Sequence, residues 1–311
     1  MEKVDHCLSC ASHSLRAYPT LIAPFIKHYV VPDEEWLCAL LECNDCGFRF
    51  FNKRFTQKEL SVLYHNYRKE AYFTVRHRFE PWYTQKVNDE IGASDDEIAF
   101  RHAHLLEFMR PLDPSSITNI LDYGGDHGQF IPPPLGKNKY LYDISHVPAV
   151  AGVTSISNEE ELRGRQYDFI MLCSVLEHIP YPSEMLSQIR SLLHKTDGWL
   201  YIELPLEHWD TRLVPTGNKG NLYSAYLNGI ARSETALKLM DFYSTVFRIK
   251  CNFIPPLGFI RLHEHMNFFN RQSLQSVLSK NGFSLEKFSL IRHSIISGIK
   301  STIICALAKA V

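Results

Sequence analysis

The stretch 120–130, ILDYGGDHGQF, constrains this chain more than any other. A short apolar run closes on an acid, Asp122, and glycines follow at 124, 125 and 128. An apolar run of this length bounded by glycine reads as a strand. Glycine lets the backbone take positive φ and approach a ligand closely. A strand, a glycine turn and a helix start form the α/β arrangement that holds a nucleotide. Asp122, at the strand end, is placed to meet a positive or hydroxyl-bearing group. A second acid, Asp143 in KYLYDIS, follows 21 residues later at the end of another apolar run. An acid at that distance, on a second strand end, suits a ribose diol. Asp126 interrupts the glycines. Its carboxylate is a poor neighbour for a pyrophosphate, which disfavours a dinucleotide.

From about residue 117 strands and helices alternate. ITNILDYG, KYLYDIS, YDFIMLCSVLEH, GWLYIELP, FSLEKFSLI and STIICALAKA read as strands. PSEMLSQIRSLLHKTDG and NRQSLQSVLSKNGF read as amphipathic helices, the second capped by Asn281-Gly282. Such alternation predicts an α/β fold with a doubly wound, mostly parallel sheet. Between Pro205 and Arg261 a long piece breaks the rhythm and contains one predicted helix, NLYSAYLNGIARSETALKLMDFYS. Insertions of this size in compact domains are commonly functional.

The N-terminal region differs. Residues 1–55 carry two CxxC pairs, Cys7/Cys10 and Cys43/Cys46, separated by 32 residues. Four thiolates at such spacing can close a tetrahedral zinc site with no position left for water, which is a structural rather than a catalytic zinc. A redox role is the alternative, but nothing thioredoxin-like surrounds either pair. Cys38 reads as a core thiol. The second knuckle runs into GFRFFNKRF, an alternating strand-like stretch. Residues 56–108 read as helical, with a capping box in TQKELSVLYHNY and acids in the first turn of DDEIAFRHAHLLEFMRPL.

Composition bounds the rest. A chain of 311 residues with 45% apolar content is long enough to bury a sizeable core. A net charge of −1 gives no overall footprint for nucleic acid. No run has the ~18–20 apolar residues of a membrane span. The closest, SIISGIKSTIICALAKAV, is interrupted by Lys300 and Lys309 and reads as a buried strand. With no targeting segment apparent, the expected compartment is the cytoplasm.

These residues resemble motif I of class I S-adenosylmethionine-dependent methyltransferases, an acid followed by three alternating glycines. Here the positions are Asp122, Gly124, Asp126 and Gly128, with Gly125 expected to supply the flexibility the missing glycine would have given. QYDFIMLCSVLEHIPYP and LLHKTDGWLYIELP resemble later motifs of the same superfamily, in the expected order. The resemblance covers roughly 110–310 and implies a Rossmann-like seven-stranded sheet. It implies that Asp143 binds the ribose and that Gly124, Gly125 and Gly128 line the methionine end. Asp126 would face the ammonium, Ser157 and Asn158 would lie near adenine, and Cys173 and Ser174 would border the cofactor. Glu177 and His178 would cap the next helix or take part in catalysis, with His178 on the substrate side.

The knuckles, the aromatic strand and ELSVLYHNYRKEAYF resemble a group that includes sugar C-methyltransferases and enzymes of glycan and natural-product pathways. That likeness implies three parts: a zinc module at 1–55, a helical cap at 56–108 and a methyltransferase domain at 109–311 with a substrate-side insertion at 206–260. Tyr64, Tyr67, Tyr72 and Phe73 would close the site. Trp209, Tyr223, Tyr226, Phe242 and Tyr243 would line the acceptor side or form a homodimer interface. In RLHEHMNFFN, an extended backbone would place His263 and His265 on one face and Glu264 on the other. The resemblance implies that Glu264 and His265 are an acid–base pair. A His263/His265 metal site and a purely structural role are the alternatives. The chain ends soon after its last strand, without the further domain of the C-methylating enzymes, which leaves O-methylation and C-methylation both open. An inactive cofactor-binding partner, suggested by Asp126, and a zinc-module RNA methyltransferase are the other readings.

Overall fold

The computed structural model describes residues 1–110, 112–195, 198–207, 209–296 and 299–311, with the backbone alone at 115, 293–296, 299 and 300. The chain forms two compact units, one from Met1–Thr84 with Glu207–Ser273, the other from Gln85–Leu206 with Leu274–Val311.

Residues 1–84 form strands β1 (Glu2–Lys3), β2 (Leu15–Leu21), β3 (Leu37–Cys43), β4 (Arg49–Phe51) and β5 (Lys53–Arg54) and helices α1 (Pro24–Tyr29), α2 (Gln57–His65) and α3 (Glu70–Phe79). The capping box of α2 is formed: Glu59 N–H donates to Thr56 Oγ1 at 3.3 Å, and Thr56 N–H to Glu59 Oε2 at 2.7 Å.

Residues 85–206 supply α4 (Gln85–Glu90), α5 (Asp95–Phe108), β6 (Asn119–Tyr123), β7 (Asn138–Tyr142), β8 (Thr154–Ser155), α6 (Glu159–Arg163), β9 (Phe169–Cys173), α7 (Pro182–Leu192) and β10 (Trp199–Pro205). Then come α8 (Gly217–Ala231), α9 (Glu234–Cys251), β11 (Asn267–Phe268), α10 (Arg271–Lys280), β12 (Phe283–Ile296) and β13 (Ile299–Ala310). The single helix predicted in the insertion is therefore two. Ser233 breaks it, because its hydroxyl accepts from Ala236 N–H and starts α9 as an N-cap. The strand predicted over YDFIMLCSVLEH ends at Cys173, where Ser174 takes a φ of 57°. SIISGIKSTIICALAKAV, read as one strand, is instead the end of β12 and all of β13, which pair antiparallel with Ile296 opposite Ile299; Ser297 and Gly298 lie outside the described residues.

In the second unit seven strands lie in the order β12-β13-β10-β9-β6-β7-β8. Pairing is parallel from β10 to β8 and antiparallel where β13 meets β10 and β12. The sheet is thus the seven-stranded α/β sheet expected, mixed through β13. Phe169, Met171 and Cys173 of β9 and Ile303, Cys305 and Leu307 of β13 share one core with Leu105 and Phe108 of α5. The alternate residues, such as Ile170 and Ile304, are also fully buried. Both faces are covered, as a doubly wound sheet requires. Each large apolar side chain buried this way stabilises by about 1.5–3 kcal/mol. The chain order reverses at β6, which has β7 on one side and β9 on the other. Ligands of open α/β sheets bind beyond the carboxyl ends of the strands at such a switch point.

In the first unit β11, β4, β3 and β2 form a four-stranded antiparallel sheet, and β1 pairs with β5. Leu21, Tyr223, Leu227, Ile230, Leu237 and Phe259 form a core there.

Candidate functional site

The glycine loop leaves β6 at the switch point. Asp122 is fully buried, and neither carboxylate oxygen has a hydrogen-bond partner among the described residues. Gly125 lies directly against it: a Cβ there would sit 2.1 Å from the Asp122 carboxyl carbon. Only glycine lets the loop close over that group. Gly124 and Gly128 take φ of 74° and 73°. Gly125 does not take positive φ, which corrects the expectation that it replaces the missing glycine conformationally. Asp126 does so itself, at φ 56°. Aspartate tolerates the left-handed region better than most residues because its short side chain bonds locally.

Asp143, just past β7, ties the loop down. Its Oδ2 accepts from Asp126 N–H at 3.0 Å, and its Oδ1 accepts from Ser145 N–H at 2.8 Å and Ser145 Oγ at 2.5 Å. Burial, with Asp143 next in strength, pushes the Asp122 carboxyl up to about 7, against the pull of the Arg101 guanidinium. A buried carboxylate without donors favours a cationic partner.

The other expected cofactor residues stand at or after the carboxyl ends of β8 and β9. Cys173 ends β9, buried, and burial raises its thiol well above the usual range. It is therefore not a ready nucleophile. Ser174 is exposed, and its N–H donates to Glu203 O at 2.9 Å. Asn158 caps α6 by accepting from Glu161 N–H at 2.8 Å, and Ser157 N–H donates to Glu161 Oε2 at 3.2 Å. His178 is half-buried in the turn after β9, with Nε2 3.9 Å from Glu177 Oε1.

Sequence reading missed a buried ion cluster in this unit. Arg101 of α5 donates to Glu203 of β10 at 2.5 Å and to Glu97 at 3.1 Å, and Tyr201 donates to Glu203 at 2.6 Å. The available signals were the Glu97/Arg101 spacing on a helix face and a lone acid inside the apolar run WLYIELP.

In the first unit the four cysteines converge. Cys7 and Cys46 sulfurs lie 3.6 Å apart, Cys10 and Cys43 3.4 Å apart, and all four lie within 4.8 Å of one another. Four sulfurs bound about 2.3 Å from one tetrahedral ion would be about 3.8 Å apart. The two knuckles share a turn: Ala11 N–H donates to Cys7 O at 2.8 Å and Gly47 N–H to Cys43 O at 2.9 Å, with φ of 63° and 67° at Ala11 and Gly47. All eight cysteines are free. Cys38 is buried apart from this group, and burial pushes its thiol up to about 12.

The histidine segment alternates as expected for extended backbone, with His263 and His265 half-buried and Leu262, Glu264 and Met266 buried. Each of its three polar members has partners in the first unit. Glu264 accepts from the Tyr72 hydroxyl and from Arg76 Nη1 at 3.2 Å. His263 Nε2 lies 2.8 Å from Glu80, which Arg76 and Arg261 also bind. Burial would raise the Glu80 carboxyl, but Arg261 and His263 hold it well below the usual range. His265 Nδ1 instead meets Glu207 Oε1 at 2.5 Å.

The predicted aromatic residues divide. Tyr72 is fully buried against Phe25 and Tyr67, with Tyr67 half-buried beside it and near Tyr64. Tyr223 is enclosed in the core, its hydroxyl donating to Gly258 O, while Tyr226 stacks on it at 5.6 Å and keeps partial exposure. Trp209 is buried, and Phe242 is 54% exposed beside Trp82.

The Asp122 environment sets a pH signature. Its carboxyl is raised from 3.8 in the unfolded chain to about 7, so this group favours folding most below pH 4, and that contribution is lost as pH rises through 7. Asp122→Asn removes the ionisation. The ligand-free variant should gain on the wild type progressively between pH 4 and 7, by a few kcal/mol at pH 8, in denaturant unfolding. A difference that does not change with pH would contradict this.

A family model described as a methyltransferase domain matches residues 64–287. No curated protein sequence matches the chain. Among solved structures, the chain is similar to the 1,6-didemethyltoxoflavin-N1-methyltransferase of Burkholderia thailandensis with bound S-adenosylhomocysteine, at 13% identity and TM-score 0.45 over 88% of this chain and 96% of that one. It is similar to the magnesium protoporphyrin IX methyltransferase of Synechocystis PCC 6803, at 16% identity and TM-score 0.41 over 78% and 97%. It is also similar to the N-methyltransferase NodS of Bradyrhizobium japonicum WM9, at 10% identity and TM-score 0.41 over 71% and 95%. With its family model spanning well over half its length and its seven-stranded sheet in place, the chain belongs to the methyltransferase domain family.

Proposed function

We propose that the protein is an S-adenosylmethionine-dependent methyltransferase acting on a hydroxyl or carbon acid of a small molecule or glycan. The observation that carries the cofactor assignment is Asp122, a buried carboxyl without a donor among the described residues, covered by Gly125 at the switch point of the sheet. A ligand with a positive charge and vicinal hydroxyls answers both acids. Asp122 and Asp126 would take the cationic methionine end, with Gly124, Gly125 and Gly128 leaving it room. Asp143 would hold the ribose, Ser157 and Asn158 would lie towards adenine, and Cys173 and Ser174 would border the cofactor. The bound cofactor would supply a methyl group on a sulfonium. The chain's own work is then mainly positioning, together with removal of one proton.

His265 is the candidate base, since an imidazole is suited to that task near neutral pH. Tyr67, Tyr226 and His178 are candidates for the acceptor side. Tyr72 and Tyr223, whose hydroxyls are engaged by protein groups, are further candidates there. The inactive-partner reading loses its main support, because Asp126 adopts the backbone conformation that a glycine would have taken.

We also propose that Cys7, Cys10, Cys43 and Cys46 hold a structural zinc ion. The supporting observation is the mutual approach of the four sulfurs within 4.8 Å. Such sites contribute directly to folding.

Calorimetric titration of S-adenosylhomocysteine tests the cofactor site. Micromolar binding is expected, weakened about tenfold or more in Asp143→Ala through loss of hydrogen bonds to a charged group. Undetectable binding, or equal affinity in the variant, would contradict the assignment. For the metal, emission spectroscopy of the purified chain should find about one zinc per chain, and Cys43→Ser should lose both the zinc and several kcal/mol of stability. A metal-free protein whose unfolding is unchanged by chelators would remove the zinc.

A further inference from the structure

The glycine loop is tied to a second turn of the same unit. Gly92 lies between α4 and α5 at a φ of 74°. Its carbonyl accepts from Gln129 Nε2 at 2.9 Å, across 37 positions of the chain. The other end of that side-chain amide, Oε1, accepts from His127 N–H at 3.0 Å. One planar, half-buried group therefore bridges the loop's backbone and the turn. Both of its ends are specified, because a backbone N–H only donates and a carbonyl oxygen only accepts.

Helix α5 backs both ends of the bridge. Glu97 Oε2 accepts from Gly92 N–H at 3.3 Å, and Glu97 Oε1 accepts from Arg101 Nε at 3.1 Å. Arg101 lies over the Phe130 ring at 4.3 Å. His102 Nε2 donates to Gln129 O at 2.8 Å, since that oxygen can only accept. From the end of β7, Asp143 accepts from Asp126 N–H, and Val150 N–H donates to His127 O at 2.9 Å. The second half of the loop is thus held both by the β7 end and by the Gly92 turn.

We propose that Gln129 is a positioning residue that couples the glycine loop to the Gly92 turn, so that filling the cofactor site tightens the turn and the turn sets the cofactor affinity. The proposal rests on the reading of the loop as a cofactor site. A ligand that holds residues 124–128 in one conformation also holds the His127 amide, through it the plane of the Gln129 amide, and through that Gly92. Such coupling is reciprocal, because a ligand that steadies the turn is bound more tightly by a protein whose turn is already steady. Gln129 acts through the backbone, while Asp122 and Asp143 remain the groups that meet the ligand.

Gln129→Glu has nearly the same shape. It keeps an acceptor for His127 N–H and, when ionised, has no donor for Gly92 O. Amide hydrogen exchange of the full chain near pH 8, without ligand and with saturating S-adenosylhomocysteine, tests the coupling alongside calorimetric titration. In the ligand-free variant the segment 88–96 should exchange several-fold faster than in the wild type. In the wild type the ligand should slow exchange over both 122–130 and 88–96. In the variant the first effect should survive and the second should be lost. Affinity should fall about three- to tenfold, as one net hydrogen bond allows. A turn that the ligand leaves unmoved in the wild type would overturn the proposal even if the variant does not fold. Slowing of the turn that persists in Gln129→Glu would overturn it as well. A wild type that binds no S-adenosylhomocysteine would overturn the cofactor reading and the coupling with it, whereas binding with an indifferent turn would overturn the coupling alone.

Discussion

A carboxyl group with no hydrogen-bond donor among the described residues lies beneath the glycine loop, at the switch point of the second unit's sheet. Burying an unpaired carboxylate is costly, and a protein usually avoids the cost by neutralising the group. Asp122 follows that rule, with its titration moved up to about 7 by burial and by Asp143. The group is kept dry by its place on β6, between two parallel neighbours, and by Gly125, whose missing side chain lets the loop lie on it. Asp143 then fixes the loop through the Asp126 amide. Sheet order, glycine placement and both acids meet at the carboxyl end of β6.

The first unit is organised by ion pairs instead. Arg76, Glu80, Arg261, Asp241, His263 and Glu264 form a connected, largely buried set. Buried ion pairs add little net stability over well-packed apolar residues, yet losing one partner strands a charge. Their value here is geometric. They tie Glu264 to Tyr72 and Arg76, and His263 to Glu80.

Much of this was legible in the sequence. Periodicity identified the six longer strands of the main sheet, four of them in its parallel part and two antiparallel, because each is an apolar-rich run. The capping box at Thr56 and the two CxxC knuckles are local patterns, and local patterns survive folding. What could not be read depends on contacts distant along the chain. His265 and Glu207 are 58 positions apart, Arg101 and Glu203 are 102 apart, and neither pair has a shared periodicity. The same limit hides the joining of 207–273 with 1–84 into one unit. β8, with two residues, is too short to carry a pattern. Asp126 misled for another reason: the loop needs a backbone conformation, and aspartate can adopt the one for which glycine is the usual marker.

The central claim is that the cationic end of the cofactor completes Asp122. Calorimetric binding of S-adenosylmethionine near pH 7, repeated in buffers of different ionisation enthalpy, tests it most directly. The free protein holds Asp122 about half protonated at that pH, and a bound cation would hold it ionised, so binding should release up to about half a proton. That release should vanish in Asp122→Asn. Tight binding with no proton exchange, and equal affinity in Asp122→Asn, would contradict the account.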